Sequence, residues 1–253
     1  MMSALLAAAA ASSLTAFGII DVDQHGRGGG LAANRIGLRG EAGVASFWLE
    51  TGFVPGTGKL NDPERIFSRR ATVSLFSKQY GELRLGRDFS PGFMGYSFYD
   101  AFGASGIGAV NRFIPTGFQD GQISYIAPAS ADGWQWQLSA APAANMSAVR
   151  VRYIIEGFDA GLALQRQPGV TLATGGISRT FGDVRLIGAF GHGGGKPAAL
   201  EAGVQWRGWR AAFIRAGTNH VSLGYVHEVT AATAVYATVI GGGEVQVGVR
   251  QAF

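Results

Sequence analysis

Apolar and polar side chains alternate along most of this chain. From Glu244 to Phe253, Val245, Val247, Val249 and Phe253 fall on one face, with Glu244, Gln246, Gly248, Arg250 and Ala252 on the other. A period of two is the mark of a strand with one wet and one apolar face. Ile36 and Leu38 alternate with Arg35 and Arg39, Leu200, Ala202, Val204 and Trp206 share one face, and Val149, Val151 and Tyr153 oppose Arg150 and Arg152. Val221, Leu223 and Tyr225 repeat the pattern. It predicts strands at 14–22, 33–40, 44–53, 65–77, 82–89, 118–127, 134–141, 146–155, 157–167, 170–181, 182–192, 198–207, 208–217, 219–228, 231–240 and 243–252. Without 1–11 and 90–117, sixteen strands have about 13 residues each with their turns, against the ~9–11 that a membrane-crossing strand needs. The same arithmetic accommodates 12 or 14 strands.

Alternation also fits a soluble sandwich, whose polar face points outward and is rich in Lys and Glu. Here the polar face carries Arg, Gln, Ser, Thr and Gly, and the whole chain has 3 Lys. Aromatic residues, Trp48, Phe89, Tyr125, Trp206 and Phe253, close the apolar face, as interfacial girdles do. The expected fold is therefore all-β, a transmembrane antiparallel barrel. Glycine, 40 of 253 residues, suits tight turns and close strand approach. Cysteine is absent, which excludes disulfides and thiol chemistry. The longest apolar run, Ala4–Ala11, is too short for a transmembrane helix. It is similar to a leader core, with Ala9–Ala11 as a cleavage site and Ser12 as the first mature residue, although Met1–Leu6 carries no basic residue. The expected division is a leader at 1–11 and a barrel at 12–253.

Several segments resemble the trimeric general porins of Gram-negative bacteria, those of β-proteobacteria in particular. They are Ser13-Leu-Thr-Ala-Phe-Gly-Ile-Ile-Asp21, Asn34-Arg-Ile-Gly-Leu-Arg-Gly-Glu41, Phe47-Trp-Leu-Glu-Thr-Gly-Phe53, Phe67-Ser-Arg-Arg-Ala-Thr-Val-Ser-Leu75 and Tyr80-Gly-Glu-Leu-Arg-Leu-Gly-Arg87. The resemblance covers roughly 13–89 and returns at Phe253, which is similar to an outer-membrane assembly signal. It implies insertion in outer-membrane lipid, a homotrimer, contact of Phe253 with the assembly machinery, and passive passage of ions and small polar solutes. It also implies a loop folded into the lumen, for which 90–117 stands in place, its Phe93, Tyr96, Phe98, Tyr99 and Phe102 available to pack on the wall.

In such porins a ladder of arginines faces acidic residues on the inward loop. Arg35 and Arg69 align with two ladder positions, while alternation favours Arg70 for the lumen; a bulge admits both. The third aligned position is Phe118, with Arg112 nearby as a substitute. Arg39, Arg84 and Arg150 lie on the polar face by alternation. The loop lacks the family's Pro-Glu-Phe-Gly-Gly-like stretch and carries a single carboxylate, Asp100. The expected constriction is thus Arg35, Arg39, Arg69, Arg70, Arg84, Asp100 and Arg112. Arginines facing few acids favour anions weakly, unless wall carboxylates Asp21, Glu50 and Glu82 balance them. A plugged, non-conducting barrel and an outer-membrane hydrolase are the alternatives; His192, His220 and Ser222 supply residue types for the latter without a motif to order them. The four histidines lack metal-site spacing, and the scattered arginines do not form a nucleic-acid patch. No cofactor, metal, nucleic-acid or catalytic role is expected.

Overall fold

The computed structural model describes residues 12–26, 29–114 and 117–253. The expected leader lies outside them. Sixteen antiparallel strands close into one barrel, each hydrogen-bonded to its sequence neighbours and the first to the last. They are β1 (Ser12–Asp23), β2 (Arg35–Ala42), β3 (Ala45–Gly52), β4 (Arg70–Ser77), β5 (Gly81–Phe89), β6 (Phe118–Ile126), β7 (Trp134–Ala141) and β8 (Met146–Ile155). Then follow β9 (Phe158–Gln167), β10 (Val170–Phe181), β11 (Val184–Gly193), β12 (Lys196–Trp206), β13 (Trp209–Ala216), β14 (Thr218–Glu228), β15 (Thr233–Ile240) and β16 (Val245–Ala252). The seam pairs Asp21 with Arg250 and Val22 with Val249. Gly18 and Phe253 exchange both backbone hydrogen bonds, at 3.0 and 3.1 Å. Closure leaves no unpaired backbone edge to face hydrocarbon.

Alternation sorts the side chains as the sequence predicts. Val245, Val247, Val249, Leu186, Leu200 and Leu223 are exposed on the outer face. Gln246, Thr238, Ser222, Glu201, Ser178 and Gln137 are buried toward the lumen. This inversion, apolar outside and polar inside, is that of a barrel whose solvent is lipid. Outward aromatics gather at the rim formed by the chain's two described ends and the tight hairpins. There Trp134 packs on Tyr153, Tyr125 on Trp136, and Trp209 on Tyr225.

Two aromatics expected in that girdle are elsewhere. Trp48 has the parity of buried Glu50, so it points into the lumen, where its Nε1 donates to Glu50 Oε2 at 3.2 Å. Phe89 stacks on Phe93 and Phe118 at the opposite end of β5, drawn inward by loop aromatics instead of lipid. The strand expected at 65–77 begins at Arg70. Arg65 belongs to the preceding loop, ion-paired with Asp62 and with Asp120 at 3.2 Å.

The other rim carries three long connections, 24–34, 53–69 and 90–117, all before β6. After β7 its connections shrink to tight turns. The described residues of segment 90–117 fold into the lumen. It opens with one helical stretch, α1 (Pro91–Tyr96), capped by Ser90 Oγ, which accepts from Phe93 N. Tyr96, Tyr99, Phe102, Val110 and Ile114 are buried against Leu172, Ile187, Ala189, Ala212 and Ile214 of the wall. Tyr99 fits because the wall beneath it is glycine. A Cβ on Gly176 would stand 2.4 Å from Tyr99, and one on Gly161 2.7 Å from its hydroxyl. Part of the high glycine content is thus space for loop aromatics.

Candidate functional site

The lumen holds a cavity of about 1020 Å³ between the inward loop and the wall of β2–β8. Six arginines line it, Arg35, Arg69, Arg70, Arg84, Arg150 and Arg152, against three carboxylates, Glu50, Glu82 and Asp88. Toward the girdle rim a second cavity of about 360 Å³ continues it. The two share Trp48, Arg70, Glu82 and Arg84, which mark the neck between them.

Backbone geometry brings both Arg69 and Arg70 inward. Arg70 is the register partner of Glu50, and Arg69 N also donates to Glu50 O, at 3.1 Å. Two residues thus oppose one, as in a bulge. Glu50 is buried; Arg69 Nε donates to its Oε1, and Arg35 Nε lies 3.7 Å from its Oε2. Arg70 reaches the other way, its Nη2 donating to Asp88 Oδ2 at 3.1 Å while its guanidinium stacks 4.3 Å from the Trp48 ring centre. Arg84 binds Glu82 at 2.8 Å and Asp88 at 2.6 Å. On β8, Arg152 donates to both oxygens of Asp159, at 2.9 and 2.5 Å, and lies 4.2 Å over Phe98. Arg150, two residues before it, gives its Nε hydrogen to Gln137 Oε1 at 3.1 Å and has no ion pair among the described residues.

The expected constriction residues divide. Arg35, Arg69, Arg70 and Arg84 share the larger cavity. Arg39 lines the smaller one, its guanidinium 5.5 Å from Trp48 and 5.8 Å from Phe17. Arg112 lies apart, in a 290 Å³ cavity with Asp23 and His25, donating to Ile107 O at 2.5 Å. Asp100 does not face the arginines. It is buried against the far wall, where it accepts from Phe102 N at 2.7 Å and Val110 N at 2.9 Å, knotting the loop to itself. The next residue, Ala101, donates its N–H to Glu201 Oε1 at 2.8 Å. Burial pushes the Asp100 carboxyl up to about 6. Phe118, at the third aligned position, lies under Arg69 and Arg87, 5.0 and 5.4 Å from their guanidinium carbons.

Asp88 and Asp159, which also pair with arginines of this wall, lie outside the expected set. Asp88 shares parity with Glu82 and Arg84, so alternation carries that signal. Asp159 is named only by its pairing across the β8–β9 hairpin. Among the described residues no group of His, Asp and Glu side chains is arranged to hold a metal.

A model of the Gram-negative porin family matches residues 1–241. Outer membrane porin protein 32 of Delftia acidovorans is 38% identical over 131 residues, 45% of this chain and 36% of that protein. An outer membrane porin protein of Bordetella pertussis is 32% identical over 138 residues, 51% of this chain and 34% of that protein. The matched stretch thus spans about a third of the length of each curated relative. Among solved structures, the anion-selective porin from Comamonas acidovorans superposes with a TM-score of 0.80 at 26% identity, covering 96% of this chain and 100% of that one.

Proposed function

Because this chain belongs to the Gram-negative porin family, we propose that it forms a water-filled channel across the bacterial outer membrane, through which ions and small hydrophilic solutes diffuse passively with a weak preference for anions. The observation that carries the reading is the central cavity, with its six arginines against three carboxylates. A constriction with low-dielectric walls focuses the field of its fixed charges and so selects by sign. Arginine stays ionised at any working pH, so the positive side does not titrate away. The preference is modest because the lumen is wet and screened; the Debye length is ~8 Å at physiological salt. Arg70 and Arg84 stand at the neck in this reading, with Arg35 and Arg69 on the wall of the larger cavity and Arg39 in the smaller one toward the girdle rim. The similar Comamonas protein is named as anion-selective.

The test is a planar-bilayer recording of the purified chain across a KCl gradient. Stepwise conductance with a reversal potential on the chloride side is expected. A silent barrel would refute the channel, and a potassium-side potential would refute the sign.

The functional unit in this reading is a homotrimer embedded in lipid, and Phe253 engages the assembly machinery. Cross-linking in mild detergent should give a three-chain species; a monomer alone would refute it. Removing Phe253 should lower outer-membrane yield, and an unchanged yield would refute the assembly role.

A further inference from the structure

Most of the arginines in the central cavity are neutralised where they stand. Arg70 and Arg84 share Glu82 and Asp88, and Arg152 is matched by Asp159. Arg35 and Arg69 share the single carboxylate of Glu50, which leaves one excess charge on the β2–β4 side. Arg150 supplies the other excess charge, from β8, outside the stretch of sequence that aligns with the family's arginine ladder.

Its setting is unusual for a buried arginine. The residue is 6% exposed, yet only its Nε is spoken for, by Gln137 Oε1 across the β7–β8 pair. Neither Nη has a partner among the described residues, and neither is sealed from solvent. Both belong to a side chain that lines the 1020 Å³ cavity. Its other cross-strand neighbour is Ala163, which is too small to cover it. Gln137 is itself held by Ser139, its Nε2 donating to Oγ at 3.1 Å. The guanidinium is therefore fixed at the stem and free at the fork. Arg84 and Arg152 flank it, and the charge of each is already engaged by carboxylates. A buried cation that lacks a carboxylate is stable only where water or a mobile anion completes its shell.

We propose that Arg150 is an anion seat in the wall of the channel, a specificity-determining residue whose free Nη groups transiently coordinate a permeating chloride or small oxyanion. The proposal rests on the anion-preferring channel reading above. A planar guanidinium presents paired donors to such ions, and a fork held open by its own stem needs no rearrangement to receive them.

The experiment compares reversal potentials of full-length variants in planar bilayers under a KCl gradient. Arg150→Gln should lower the chloride-to-potassium permeability ratio about twofold or more, since it removes one of the two excess charges of the central cavity. Arg150→Lys should keep most of the ratio. The charge-neutral double variant Arg207→Gln/Asp183→Asn, at an exposed ion pair that does not line the cavity, should leave it near the parental value. Arg150→His gives an independent reading, because imidazole titrates near ~6.5: preference should be present at pH 5 and fall by pH 8 more steeply than in the parent, in which Asp100 also titrates. This variant keeps the test open if Arg150→Gln does not assemble into a heat-modifiable barrel. An anion-selective parent whose Arg150→Gln variant keeps its ratio, or whose Arg150→His variant shows no steeper pH dependence than the parent, overturns the seat alone. So does a neutral double variant that shifts the ratio as far as Arg150→Gln. A parent without anion preference overturns the reading beneath it, and the seat as well.

Discussion

Replacing Gly176 by Ala should push the inward loop off the wall. The added methyl carbon would stand 2.4 Å from the Cβ and Cγ of Tyr99. Carbon atoms pack best at about 3.5–4.0 Å, so the ring must retreat by more than about 1 Å. Tyr99 cannot yield easily: it is 1% exposed, and its hydroxyl donates to Asp159 at 2.7 Å. Overpacking of this kind costs about 1–3 kcal/mol. If the hydroxyl is dragged from Asp159, a partly buried hydrogen bond to a charged group is lost as well, about 1.5–3 kcal/mol. The displaced segment has only the lumen to enter, so single-channel conductance should fall together with stability. Conductance is read in planar bilayers and stability by urea unfolding from lipid vesicles. The Tyr99→Ala change alone should cost about 3–5 kcal/mol through the hole it leaves. Combined with Gly176→Ala, it removes the clash with the ring but not that with the Tyr99 Cβ, which alanine keeps, so the double variant should be less damaged than the sum by part of the overpacking energy. Strict additivity, or a Gly176→Ala channel with parental conductance and stability, would refute this account of the wall glycines.

Two further outcomes follow from the same geometry. Val249 lies on the outer face at the centre of β16, and Val249→Lys should destabilise the barrel by about 2–4 kcal/mol in vesicle unfolding, as cations near the bilayer midplane do; a neutral effect would mean that this face does not meet lipid. Asp100 is held by burial near 6, above its unfolded value of about 3.9. The folded loop then binds its proton more tightly than the unfolded chain, so its share of stability is complete below about pH 4 and falls as pH rises toward 6. Amide protection at Phe102 and Val110, corrected for intrinsic exchange, should drop across that window; flat protection would show that Asp100 does not titrate there.

The fold was legible because lipid enforces parity. Each strand must turn its apolar set outward, and Val245, Val247 and Val249 declare this without help from neighbours. The strand borders blurred where the loops interfere: 65–69 reads as strand because Phe67 and Arg69 continue the alternation, yet Arg65 is drawn away by Asp62 and Asp120. Trp48 was misread because an indole suits an interface equally well as a lumen, and only Arg70 and Glu50 across the strands decide between them. The arginine wall was partly legible, since Arg35, Arg70 and Arg84 follow from alternation and resemblance. The turning of Asp100 away from it was not, because that depends on Glu201, a hundred residues distant, and on a loop knot no periodicity encodes. The glycines under Tyr99 were equally silent, for their purpose lies in the side chain opposite.

The strands differ in length around the barrel, and so does the wall's height. β2 to β7 have 8 or 9 residues each, whereas β8 to β12 have 10 to 12. At ~3.3 Å per residue and a tilt of ~40°, eight residues rise about 20 Å and twelve about 30 Å. A bilayer meeting the low side must thin, at a cost of fractions of a kcal/mol per ångström of hydrophobic mismatch. The same deformation disappears when two low sides meet each other instead of lipid. If copies of the barrel associate in the bilayer as proposed above, an uneven wall gives the membrane itself a stake in their orientation, favouring short strands turned toward one another and tall ones left to the acyl chains.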